Sequence, residues 1–249
     1  MHPVAEPPGA DVMPRLLRSL LPVTGGRDAF FASLAQARPR WSWLVAAVWV
    51  AMLVLATTYV TRNGRNLPMQ DEWEFIPPLL GLTSGWDWAF EKHYEHRYVL
   101  GRLLYLSLHR LTGNWFPAGM VLTILFLAGS AYILVRVARR ERGHDHPADL
   151  WFPVLLLNAG HYENLLMGYQ VVFTLTTILV AVLLAVVARS RDADPARSAT
   201  CAGVLLLGIM SGGGIGLLFV PLVGAWVGCL LFQCIYGGGV ERFVWSRDC

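Results

Sequence analysis

Two short stretches hold most of the residues whose types and spacing could do chemistry. "QDEWEF" at 70–75 sets Asp71, Glu72 and Glu74 within four positions, and "KHYEHRYVLGR" at 92–102 adds His93, Glu95, His96, Arg97 and Arg102. A carboxylate such as Asp71 or Glu72 can take the proton of a hydroxyl or hold a divalent cation; its plain alternative is a solvated loop charge or a helix cap. His93 and His96 stand three apart, so on a helix both imidazoles share a face, a zinc-like spacing that lacks an evident third ligand. Arg97 and Arg102 beside His96 suit an anionic partner, since a guanidinium grips phosphate oxygens as a two-pronged fork; the plain alternative is an arginine snorkelling to a membrane surface. A second polar group, Glu163, Asn164 and Gln170, lies in "HYENLLMGYQ" at 161–170.

The elements that must position these residues are apolar helices. The chain of 249 residues is 55% hydrophobic, with a mean hydropathy of +0.47, and only 15% charged, well under the ~25% of soluble domains. This predicts an all-α, polytopic membrane protein. Nineteen of its 20 basic residues are arginine, but they form no stripe interleaved with aromatics, which argues against a nucleic-acid partner. Cys201, Cys229, Cys234 and Cys249 have neither metal-site spacing nor a disulfide pattern and read as packing residues.

A crossing needs about 20 apolar residues. Residues 41–60, 115–135 and 171–188 meet that need; 198–240, free of charge, is long enough for two helices broken at "SGGG" (211–214); 148–160 is short but must cross if the loops are to agree in sidedness. The expectation is thus about six spans. Arginines at 38 and 40, at 136–142, at 189–197 and at 242–247 then fall on one side, which marks the cytoplasm. Residues 1–40 are expected to be a disordered cytoplasmic tail, with a short amphipathic helix over 13–23. Residues 41–240 form the transmembrane module, and 241–249 a second cytoplasmic tail. Both termini are expected on the cytoplasmic side of the plasma membrane, with 61–97 an outer loop followed by an interfacial helix over 97–113. On that helix Val99, Leu100, Leu103, Leu104, Leu106 and Leu108 supply the apolar side, while Arg102, His109 and Arg110 can stay wet.

The order of these features resembles that of bacterial polytopic glycosyltransferases of the GT-C superfamily. It runs from a span to an outer loop opening Asp-Glu-Trp, then Glu-His-Arg before an interfacial helix, then Glu-Asn with a Gln seven residues after the Glu, then a Gly-rich outer turn. The resemblance covers roughly residues 41–236. It implies inverting transfer of a sugar from a polyprenyl-phosphate donor at the outer membrane face, with a divalent cation (Mg2+ or Mn2+) as an optional cofactor and membrane lipid as a partner. Asp71 and Glu72 match the first-loop acid and Glu163 approximately the second. Arg97 and Arg102 would neutralise the departing lipid phosphate, with Glu95, His96, Asn164 and Gln170 as further substrate contacts. Members of that superfamily usually carry more spans and often a soluble C-terminal domain, so a chain ending at "VERFVWSRDC" is expected to be an N-terminal fragment. Two other classes compete: a non-catalytic membrane subunit, and a transporter, which would show an internal repeat and mid-membrane charges.

Overall fold

A computed structural model describes residues 40–93, 97–190, 195–212 and 219–236. The expected tails, the 13–23 helix, Glu95, His96 and most of the Gly-rich turn lie outside the described residues. The chain forms two units, Met1–Trp43 and Leu44–Cys249, and the core and the site belong to the second. The described residues contain no strand. Their six helices of fourteen residues or more are α1 (Arg40–Asn63), α2 (Val99–Thr112), α3 (Pro117–Arg142), α4 (Val171–Arg189), α5 (Pro195–Met210) and α6 (Val220–Tyr236). Among the described residues three stretches are long and apolar enough to cross a membrane: Trp41–Asn63, Pro117–Arg142 and Gly168–Arg189. The helices α5 and α6, of 16 and 17 residues, are shorter.

Helix α3 is the centre. Of its apolar stretch 56% is buried in the protein, against 17% of α1's and 33% of α4's. One side of α3 meets α1: Ala56 and Val60 pack on Met120, Ile124, Leu127 and Ala128, and the Trp49 indole donates to the Ala128 carbonyl at 3.0 Å. Its other side meets α4, and the two run parallel. Gly119 lies against the Gly168 backbone, where a Cβ would come within 2.6 Å of its carbonyl oxygen, and ten residues on Gly129 lies against Ile178. A third cluster joins α4 to α5 and α6 through Leu183, Ala202, Ile209 and Val223.

Parallel neighbours need a crossover, and residues 143–170 supply it. Gly143, in the left-handed conformation (φ 73°), ends α3. Asp149 then pairs with Arg139 and Arg142 of the last turns of α3, while Gly168 sits beside Gly119 at the other end. The chain therefore returns along the length of α3 between 149 and 168. It does not do so as one helix. The helix Trp151–Leu156 has six residues, about 9 Å at ~1.5 Å per residue, and is followed by the short helix Tyr162–Leu166. Extended backbone at Asn158 and Met167 makes up the distance, and Leu157 and Leu165 bury themselves in the α1–α3 cluster. The span expected over 148–160 is thus a broken traverse, interrupted where the Asn158 side chain accepts from Gly160 N at 2.8 Å.

Helix α2 corrects the sequence reading of its faces. Its buried side holds Gly101, Arg102, Tyr105, Leu106 and His109. Leu100 and Leu111 point outward, Leu111 at 85% exposure, and only Arg110 of the three basic residues is exposed. Arg102 and His109, expected to stay wet, are enclosed. Next to an apolar exterior such a reversal is expected: Arg102 and Tyr105 turn inward to hydrogen-bond partners, and Leu100 and Leu111 face out.

Candidate functional site

The segment after α1 folds onto the near ends of α2, α3 and α4. Asn66 Oδ1 accepts from Phe116 N at 2.9 Å, fixing the segment to the start of α3. The turn Gln70–Phe75 follows, entered through Gln70 at φ 47°, the left-handed region that costs a residue with a side chain free energy. Phe75 anchors the turn in an aromatic core, its ring 4.3 Å from Trp88, 4.4 Å from Tyr105 and 4.9 Å from Tyr169.

This turn sends its acids in different directions. Glu72 points inward and is fully buried. Its Oε1 accepts from the Tyr105 hydroxyl at 2.6 Å and from Tyr169 N at 3.0 Å, and its Oε2 from Met69 N at 2.8 Å. One carboxyl thus joins the turn, α2 and the start of α4. Gly168 makes room: a Cβ there would meet Glu72 Oε1 at 2.9 Å. Burial raises the pKa of Glu72 more than its hydrogen bonds lower it, and the Tyr105 phenol is pushed up by the same burial and by Glu72.

Asp71 and Glu74 point the other way and stay partly exposed, at 38% and 47%. Between them lies the buried ring of His93, with Nδ1 2.8 Å from Glu74 Oε2 and Nε2 3.6 Å from Asp71 Oδ2. The rings of Tyr98 and Tyr169 flank it edge-on at 5.9 and 5.8 Å. Arg102 closes the base of the cluster. It donates to the Trp88 and Glu91 carbonyls at 2.7 and 2.9 Å, caps the helix Gly85–Phe90, lies over the Trp88 ring at 4.6 Å and approaches Glu74 Oε2 at 3.6 Å. Its guanidinium is committed to the fold. Arg97 is exposed and immediately precedes Tyr98, the N-cap of α2, the position that leaves it beside unpaired helix N–H groups.

The second polar group is split. Glu163 stands exposed, its Oε1 accepting from the Tyr162 hydroxyl at 2.9 Å, and no hydrogen bond or ion pair joins it to Asp71 among the described residues. Asn164 and Gln170 do converge, lining a cavity of about 210 Å³ with His161, Thr174 and Thr177. Tyr169, which flanks His93, is one residue from Gln170. Phe173 and Thr177 also border a second, apolar cavity of about 250 Å³, lined by Val180 and Leu184 of α4 and by Gly212 and Phe219, with Gly212 against Thr176. Leu127, Leu156 and Phe173 complete the wall of the first cavity, so a cavity with a few polar groups at its lining abuts an apolar groove.

No group of three or more His, Cys, Asp or Glu side chains able to hold a metal ion assembles among the described residues. Asp71, Glu74 and His93 are instead paired with one another, and no catalytic step is assigned to a cation. Sequence reasoning gives Glu74, Tyr105 and Tyr169 no role, and reads His93 only as half of a zinc pair. One signal was present: Tyr98, Arg102, Tyr105 and His109 recur at helical spacing among leucines, a polar-tipped stripe on one face. The chain matches no family model, no curated protein and no solved structure.

Proposed function

We propose that this chain is the membrane module of a glycosyltransferase that moves a sugar from a polyprenyl-phosphate donor to a hydroxyl acceptor at the outer face of the plasma membrane, crossing it six times with both termini inside. The observation that carries the reading is the division of labour among adjacent acids: Asp71 is open to solvent beside His93, while Glu72 is locked in the core behind it. The cavity that holds Asn164 and Gln170 and abuts an apolar groove supports it, because the donor joins a sugar to a lipid chain.

In this mechanism Asp71 takes the proton of the acceptor hydroxyl. The acceptor oxygen forms a bond to the anomeric carbon as the bond from that carbon to the phosphate oxygen breaks, with inversion, and the electron pair leaves with polyprenyl phosphate. Arg97 balances the charge that develops on that phosphate. His93 and Glu74 orient Asp71, Arg102 fixes Glu74, and Glu72 holds the turn. Asn164 and Gln170 supply hydrogen bonds to the sugar hydroxyls, and Glu163, exposed and next to Asn164 in sequence, is the second acid on that side. Glu95 and His96, next to Arg97 in sequence, are further substrate contacts in this reading.

The test uses the purified chain in liposomes with radiolabelled polyprenyl-phosphate sugars and acceptor-bearing membrane extract. Release of polyprenyl phosphate with transfer of label is expected from the parent. If neither the parent nor a longer natural chain that contains it consumes any of the donors, the chain is a non-catalytic subunit instead.

A further inference from the structure

The far end of the α3–α4 pair carries a second site. Because α3 and α4 run parallel, both end on the same side, and each ends on arginine. Between the two ends lies an open cavity of about 350 Å³. Arg136 and Arg140, one turn apart on α3, and Arg189 on α4 form its basic rim; Val137 and Ala185 are among the aliphatic residues of its wall, and Tyr132 lies a further turn along α3. The basic rim is not an accident of a generally basic end. The nearby acids Asp145 and Asp149 are taken by Arg139 and Arg142, while no acidic side chain pairs with Arg136 or Arg189 among the described residues.

We infer that this cavity binds the headgroup of an anionic glycerophospholipid: the phosphate lies between Arg136 and Arg189, and an acyl chain follows the aliphatic wall between the helices. The chemistry of the lining selects an amphiphile. Guanidinium forks bind phosphate oxygens, and an apolar wall continuous with the helix surface suits a hydrocarbon chain. Basic pockets between membrane helices attract such headgroups through the surface potential of anionic lipid. The inference does not depend on glycosyl transfer, and it uses none of the residues of the first site.

The whole purified chain in detergent is mixed with phosphatidylglycerol or with phosphatidylcholine of the same acyl chains, and retained lipid is counted by native mass spectrometry. Retention of one phosphatidylglycerol, with a preference on the order of tenfold over phosphatidylcholine, is expected for two arginines at the headgroup. The double variant Arg136→Gln/Arg189→Gln should lose that preference, and Ala185→Phe, which fills the cavity and keeps every charge, should lose it too. Arg110→Gln, at an exposed position outside the cavity, should keep it. Each variant's fold is checked by thermal unfolding, and if the double variant does not fold, Ala185→Phe decides alone. Equal retention of the two lipids overturns the inference, as does a preference that survives the cavity-filling change. Displacement of the lipid by soluble glycerol phosphate at matched concentration would also overturn it, since the site would then bind phosphate without the chain.

Discussion

A carboxylate is buried at each end of α3, and the two are satisfied by different means. Glu72 is held by neutral donors: a phenol and two backbone N–H groups. Asp149 is held by the guanidiniums of Arg139 and Arg142, with His146 N donating at 3.3 Å. Arginine remains charged under all ordinary conditions, so the Asp149 end is a fixed ion cluster whose cations still reach solvent at 23% and 32% exposure. The Glu72 end is closed off, and burial drives its carboxyl toward the neutral form. Beside Asp71 the nearest polar group is the His93 ring, which links it to Glu74 and, through Glu74, to Arg102.

The largest expected effect separates the two ends. Glu72→Ala strands three buried donors, at about 1–3 kcal/mol each, so a loss of about 3 kcal/mol or more is expected in denaturant unfolding of the detergent-solubilised chain. Asp149→Ala should cost about 1–2 kcal/mol, because its partly exposed arginines can rehydrate. The reverse order would break the comparison.

Titration sharpens it next. The folded pKa of Glu72 lies above its unfolded value of 4.5, so between the two the folded state binds more protons. Its contribution is complete below 4.5 and is lost as pH rises through the raised value. Glu72→Gln should remove that slope, seen as a difference from the parent in unfolding midpoint against pH. Asp149→Asn should leave it in place. His109 tests the sign from the other side. Buried with no hydrogen-bond partner for either ring nitrogen among the described residues, it is pushed down by burial from 6.5 to about 4. Its contribution is complete above 6.5 and is lost as pH falls toward 4. His109→Phe should abolish that acid loss and leave neutral stability equal or higher, because two unsatisfied nitrogens disappear.

The smallest effect concerns the entry to the turn. Gln70 at φ 47° carries a strain that glycine would not, so Gln70→Gly should gain up to about 1 kcal/mol in the same unfolding measurement. A loss there would mean that the Gln70 side chain, not its backbone, sets the turn.

The long helices were legible because their signal is local. Apolar runs at 41–60, 115–135 and 171–188 became Arg40–Asn63, Pro117–Arg142 and Val171–Arg189, each extended by residues that a composition count alone excludes. The broken traverse after α3 was not legible, because its breaks depend on the Asn158 cap and on how Leu157 and Leu165 fit between α1 and α3. Within the site, Asp71, Glu72 and Arg102 stood out as charges in an apolar chain, but their orientations did not. Glu72 meets Tyr105 across 33 residues and Tyr169 across 97, and no periodicity carries pairings of that range. Arg102 reads as wet only if an amphipathic helix turns its leucines inward, and α2 does the opposite with Leu100 and Leu111.

The most direct measurement compares two adjacent acids. Transfer from the polyprenyl-phosphate donor is measured per folded molecule for Asp71→Asn and for Glu72→Gln, in the full-length enzyme if a longer chain is the natural one. Asp71→Asn should fold as the parent does and lose at least ~10²-fold in transfer, the scale of a removed general base, while Glu72→Gln should lose mainly stability and keep most of its transfer per folded molecule. Parental transfer by a folded Asp71→Asn variant would contradict the account.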